Sequence, residues 1–203
     1  PGPGHHPRGE RLRPPGRPVR IIATSWSANW NKGFAFYQYL DTHLDWSKFS
    51  FLFIGNTPVV FKNIRTVSAS PSVAVAQEIR ESDIYVSAIK DDACSNGIIE
   101  ALSSGLPVVA LQSGGNSELV GAGGALFTSP QEFVQKLSLV ADQYQTYKAA
   151  VQVPRASVMV GQYVNFITEE VCSRPVRRLS FGSLVNWYLA WARAQFSRRL
   201  KKS

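Results

Sequence analysis

Two carboxylates, a helix start and a glycine pair lie close together in one stretch of this chain, DDACSNGIIEALSSGLPVVALQSGGNSELVGAGG, from Asp91 to Gly124. Seven residues separate Asp92 from Glu100, and Ser95-Asn96 stands where a helix would begin. The apolar run Leu106 to Leu111 leads into Gly114-Gly115, with Asn116 and Glu118 just beyond. A carboxylate can accept hydrogen bonds from two adjacent hydroxyls. Backbone amides at a helix start or in a glycine loop favour phosphate, because both offer positive charge to an anion. Upstream, Lys32-Gly33 supplies a cation beside a second close-approach glycine, and Gly55 ends another apolar run. These residue types suit a ligand that carries both phosphate and hydroxyl groups.

The elements that must position them follow from periodicity. Short apolar runs read as strands at 19–24, 50–55, 63–67, 83–88 and 106–111, with a short sixth at Ala125-Leu126. Helical stretches lie between them. One runs from Gly33 to Leu44 with Phe36, Leu40 and Leu44 at four-residue spacing. Another spans 72–81, and a third runs from Asn96 to Ser104. Ser129-Pro130 starts a further helix, because serine caps a helix and proline suits its first position. Strands alternating with helices predict an α/β, Rossmann-like parallel sheet with helices on both faces, followed by C-terminal helices. Such sheets bind ligands at the carboxyl ends of their strands. The loops Ser25–Lys32, Gly55-Asn56, Lys90–Asn96 and Ser113–Ser117 therefore form the functional edge.

The Asp91–Gly124 block resembles the donor-binding half of family 4 type glycosyltransferases of the GT-B fold. That family carries Glu-x7-Glu, then Ala-apolar-x-x-Gly-x-Pro-Val-Val, then Gly-Gly-x-x-Glu. Here the three parts read D-ACSNGII-E, ALSSGLPVVA and GGNSE, in register and without a gap. Asp92 stands where the family usually has glutamate and is one methylene shorter. The resemblance covers residues 19 to 147 and implies one half of a GT-B fold. It also implies a retaining, hexosyltransferase-type enzyme that takes a nucleoside-diphosphate sugar, such as a UDP- or GDP-sugar, as donor. The acceptor would be a glycan or a lipid-linked saccharide, in polysaccharide biosynthesis. In this resemblance Glu100 takes the ribose hydroxyls, Asp92 lies near the donor sugar, and Lys32 with Gly33 meets the diphosphate. Ser95, Asn96, Gly114, Gly115, Asn116 and Gly55 line the donor site, and Glu118 braces the glycine loop. The family's arginine about five residues before the lysine is absent. Ser27 or a neighbour takes that place in a serine-tryptophan-serine form of the loop. No cofactor or metal is expected, and Asp91-Asp92 is not read as a metal site. Acceptor recognition would belong to an N-terminal GT-B domain or a partner chain.

Charge is unevenly spread. Residues 1–20 carry five arginines against one glutamate, residues 21–173 nine Lys or Arg against thirteen Asp or Glu, and residues 174–203 eight Lys or Arg and no acid. The formal net charge of +8 therefore sits in the tails, and a basic groove for nucleic acid is not supported. Residues 1–18, rich in Pro, Gly and Arg, read as a disordered linker. Residues 19–173 read as the donor domain, and 174–203 as a basic amphipathic helix with Leu184, Trp187, Tyr188, Trp191 and Phe196 on one face. That helix fits either an anionic membrane surface or the missing domain. Two cysteines, Cys94 and Cys172, fit a reducing compartment, with Cys94 a small packed residue. His43 belongs at a helix surface. The expected location is the cytoplasm, peripheral on the inner face of the cell membrane. Two alternatives stand beside the enzyme: a non-catalytic nucleotide-sugar-binding or regulatory half, and a membrane-interface adaptor that acts through its tail.

Overall fold

The computed structural model describes residues 16–68, 71–153 and 156–172. Most of the linker segment and the whole basic stretch 174–203 lie outside the described residues. The chain divides into two units, Pro1–Val153 and Pro154–Ser203.

The first unit is built on a parallel sheet of β1 (Val19–Ser25), β2 (Phe49–Gly55), β3 (Arg65–Val67), β4 (Ile84–Ser87), β5 (Val108–Leu111) and β6 (Gly124–Phe127). Its order is β3-β2-β1-β4-β5-β6. The strands are apolar on both faces because both faces are covered, as parallel sheets require. Ile21, Phe51, Phe53, Ile84, Val86 and Val109 pack beneath α1 (Phe34–His43) and α5 (Pro130–Asp142). The alternate residues Ile22, Ile54, Tyr85, Val108 and Ala110 pack beneath α2 (Ser72–Glu81), α3 (Asn96–Ser103) and α4 (Asn116–Val120). The last helix of this unit is α6 (Tyr144–Ala150), which inserts Tyr144 into the first face. In the second unit, α7 (Ala156–Phe166) runs into a π-helical turn, Ile167–Val171. Among the described residues, no helix is long and apolar enough to cross a membrane.

Local chemistry explains several boundaries. Ser129 Oγ accepts the Glu132 amide, and Glu132 Oε2 accepts the amide and hydroxyl of Thr128, so α5 begins where Ser129-Pro130 predicted. The α1 core face is Phe34, Tyr37, Leu40 and Asp41, with Phe36 half-buried against Phe127. His43 stacks on Tyr39 at the exposed end of that helix. The third strand is shorter than the run 63–67 predicted. The amides of Lys62, Asn63 and Ile64 donate to the buried Asp41 carboxylate at 2.7–2.8 Å and are not free to join the sheet. At the other end of the sheet, Arg17 makes a bidentate contact with buried Asp83, which also accepts the Arg20 amide and so anchors the start of β1.

Asp41→Ala strands one buried and two part-buried amides and is expected to cost about 2–3 kcal/mol, read as a lower urea midpoint at unchanged slope; a midpoint within experimental error of the parent would remove the buried carboxylate as a tie. Tyr85 lies in the core with its hydroxyl 2.8 Å from Thr24 Oγ1, and burial pushes its pKa up to about 12. An unfolded tyrosine titrates near 10. The stability gained by keeping Tyr85 protonated is therefore whole below pH 10 and is lost as pH rises from about 10 toward 12, in full about 3 kcal/mol. Tyr85→Phe should flatten this alkaline limb in urea titrations, while Tyr37, whose buried hydroxyl is raised as well, retains part of it.

Candidate functional site

The sheet order places β1 beside β4, where the chain reverses its direction of travel across the sheet. This is the point at which a doubly wound sheet opens a crevice at its strand ends. The loops after β1, β4 and β5 meet there and are joined largely by backbone. Lys90 donates its amide to the Asn31 carbonyl at 2.8 Å. Gly33 adopts φ 89°, and a β-carbon there would collide with Ala88 at the end of the β4 run. Asp91, at φ 56°, donates its amide to Ser113 Oγ and accepts that hydroxyl in return at 3.2 Å.

Gly114 and Gly115 have a role that spacing alone does not reveal. A β-carbon on Gly114 would fall on the Asp92 carbonyl, and one on Gly115 on the Ala93 carbonyl. The Gly115 amide donates to the Asp92 carbonyl at 2.9 Å. The missing side chains therefore let the β5 loop seat against the β4 loop, and the Gly115 amide is already committed. Asn116 fixes the seam from beneath. It is fully buried, and its Nδ2 donates to the Leu111 carbonyl at 2.9 Å and the Ile89 carbonyl at 3.4 Å. Its Oδ1 has no hydrogen-bond partner among the described residues.

The charged centre is the pair Lys32 and Asp92, with Nζ 3.8 Å from Oδ2 and both side chains about 30% exposed. Lys32 is held by a short 3₁₀ turn, Trp30–Lys32, which Asn29 caps by accepting the Asn31 amide. Asp92 Oδ1 accepts the Cys94 amide, which turns the chain into α3. Ser95 is the buried residue before α3. The amides of Asn96, Gly97 and Ile98 have no carbonyl partner inside their own helix and face the same end of the sheet. Glu100 lies one turn along α3, exposed. Gly55 closes β2 against the Ser25 carbonyl, and the Asn56 side chain donates to the Trp26 carbonyl at 2.8 Å, linking a fourth loop to the rim.

The structure thus brings Lys32, Gly33, Asp92, Gly114 and Gly115 together. Glu100 and Glu118 stand apart, and neither side chain bonds a described residue. Glu118, expected to brace the glycine loop, is exposed on α4; the bracing comes from Asn116. Cys94, expected to be packed, is exposed, because the turn set by Asp92 carries it outward. Ser87, unremarked in the sequence, ends β4 buried with its Oγ unpartnered among the described residues. Only its apolar neighbours signalled burial. No group of three His, Cys, Asp or Glu side chains gathers as a metal-ligand set among the described residues.

Residues 35–143 match the family model described as glycosyl transferases group 1. No curated protein matches the chain. Similar solved structures include the pneumococcal O-GlcNAc transferase GtfA in complex with UDP and GlcNAc, at 15% identity and TM-score 0.55, over 72% of this chain and 32% of that one. Anabaena HepE in complex with UDP-glucose aligns at 15% identity and TM-score 0.58, over 74% of this chain and 48% of that one. A glycosyltransferase from Rickettsia africae ESF-5 aligns at 16% identity and TM-score 0.59, over 77% and 49%. Identities this low establish a common fold, that of one Rossmann-like domain of GT-B glycosyltransferases. The chain spans between 32% and 49% of the length of these three proteins. With the family match running through more than half of its residues, from α1 to the end of α5 and through Asp92, the chain belongs to the group 1 glycosyl transferases.

Proposed function

We propose that this chain is the donor-binding half of a retaining glycosyltransferase that moves a hexose from a nucleoside-diphosphate sugar to a glycan or lipid-linked acceptor. The observation that carries the reading is the Lys32–Asp92 pair at the β1/β4 crossover, beside the open amides of α3. A diphosphate seated there would meet the Lys32 ammonium and the positive end of a helix, the two groups that stabilise charge growing on a leaving phosphate. The pair is loose at 3.8 Å, so Lys32 can exchange its carboxylate partner for phosphate at little cost. Asp92 would then be released toward the sugar, and Glu100 would accept the two ribose hydroxyls, the role that the family resemblance implies. UDP and UDP-glucose bound to the similar folds support a nucleotide-sugar ligand. Acceptor recognition falls to a second domain, on the same polypeptide or on a partner chain, working at the cytoplasmic face of the membrane.

One observation favours a second reading, a binding half without catalysis. Ser27 or a neighbour takes the place of the family's arginine, and the Ser27 Oγ accepts the Asn29 amide within the loop. Sugar transfer after addition of an acceptor domain separates the two.

Calorimetric titration with UDP-, GDP- and ADP-sugars tests the donor site directly. One base should be selected. Glu100→Ala should weaken binding about tenfold or more by removing charge-assisted hydrogen bonds, and Lys32→Ala should do so for the nucleoside diphosphate as well as for its sugar conjugate. Binding that both variants leave intact, or no binding to any donor, would overturn the assignment.

A further inference from the structure

Two tryptophans precede Lys32 on its own loop and have no task in the site described above. Trp26 and Trp30 are each 56% exposed, on the loop between β1 and α1 that also carries Lys32. Two large aromatic side chains exposed four residues apart on one loop, beside a charged pair, can offer a ligand contact area at low entropic cost.

The loop is stiff, although every residue from Trp26 to Asn31 is exposed. Ser25 Oγ donates to the Ser27 carbonyl, Ser27 Oγ accepts the Asn29 amide, and Asn29 Oδ1 accepts the Asn31 amide. The Trp26 carbonyl is held by Asn56, and the Trp30 carbonyl accepts the Gly33 amide at 3.0 Å. The Trp30 ring meets buried Phe34 edge to face at 6.2 Å. The indoles are therefore presented on a backbone already ordered, which lowers the entropic cost of using them. Neither indole N–H bonds a described residue, so both remain available as donors.

We infer that Trp26 and Trp30 form an aromatic platform for a pyranose ring, an inference that rests on the proposed donor site. The C–H face of a pyranose is weakly positive and apolar, and it matches the negative face of an indole. Position selects the sugar over the base. Glu100, assigned to the ribose, lies on α3 over one face of the sheet, while Trp30 leads into α1 over the other. Lys32 follows Trp30 by two residues and pairs with Asp92, which stands four residues before α3. A donor with its ribose at Glu100 and its diphosphate at Lys32 carries its remaining end, the sugar, toward the tryptophans. The same platform would take an acceptor sugar, which must approach that end.

The test compares Trp26→Ala, Trp30→Ala and Trp30→Phe with the parent chain, by calorimetry, against UDP, UDP-glucose, GDP and GDP-mannose, and then against maltose with UDP at saturation. Both tryptophans are exposed, so the variants should fold, as circular dichroism will show. The alanine variants should hold the bare nucleotides within about twofold of the parent and lose about threefold to tenfold on the sugar conjugate, with phenylalanine restoring most of the loss. A loss confined to maltose would assign the platform to the acceptor ring and keep the inference. Equal losses on nucleotide and nucleotide sugar would give the tryptophans to the base and overturn it. No loss in either arm would also overturn it, leaving them to pack against another domain. Failure of the parent chain to bind any nucleotide would remove the donor site itself, and the inference with it.

Discussion

The amide of Gly115 donating to the carbonyl of Asp92 is the contact on which the rest of the strand-end rim depends. It forms only because neither Gly114 nor Gly115 has a β-carbon where the β4 loop passes. Once that seam is closed, Asp92 is held at a height where its carboxylate can face Lys32, and the chain beyond it turns into α3. Gly33 against Ala88 and the Lys90 amide on the Asn31 carbonyl close the matching seam on the β1 side. Three loops far apart in sequence thus become one surface before any ligand arrives. A site ordered in advance spends less of its binding energy on immobilising itself.

Electrostatics then gives that surface a direction. The body of the chain carries more acid than base, so a cation at the crevice is a local feature and not part of a basic field. Lys32 is partly sheltered, rests against Asp92 at a distance longer than a close ion pair, and stands near the open end of α3. A dianionic ligand seated as proposed would be met by the Lys32 ammonium and several neutral amides. Fixed amides of this kind need no reorganisation as charge develops.

Much of the sheet was legible in the sequence because its strands are buried on both faces. Ile21-Ile22, Phe51 to Ile54 and Val108 to Leu111 are unbroken apolar runs, and no amphipathic helix would need them. The start of α5 was legible because Ser129, Pro130 and Glu132 act locally. What stayed hidden depends on contacts distant in sequence. Asn63 and Ile64 look like strand residues until Asp41, far earlier in the chain, claims their amides. The helix Asn116–Val120 is too short to show a period. Asn116 reads as a polar loop residue because nothing nearby reveals that it will be sealed under two loops and bond their carbonyls. Cys94 was expected inside because cysteine usually is, and the Asp92 turn places it outside.

The glycine pair shows most clearly why a motif and its mechanism must be argued separately. Spacing predicts that Gly114 and Gly115 leave room for a phosphate oxygen. In the fold, that room is filled by the Asp92–Ala93 backbone, and one of the two amides is spent on it. The glycines then act on the ligand indirectly, by setting where Asp92 and the start of α3 stand. The same logic applies to Ser27. Its hydroxyl builds the β1 loop by accepting the Asn29 amide, which stiffens the segment bearing Trp26, Trp30 and Lys32. In the proposed site, a diphosphate would be held by Lys32, the α3 amides and the precision of the rim. The stiffened loop can leave two tryptophans in solvent and still hold them in place.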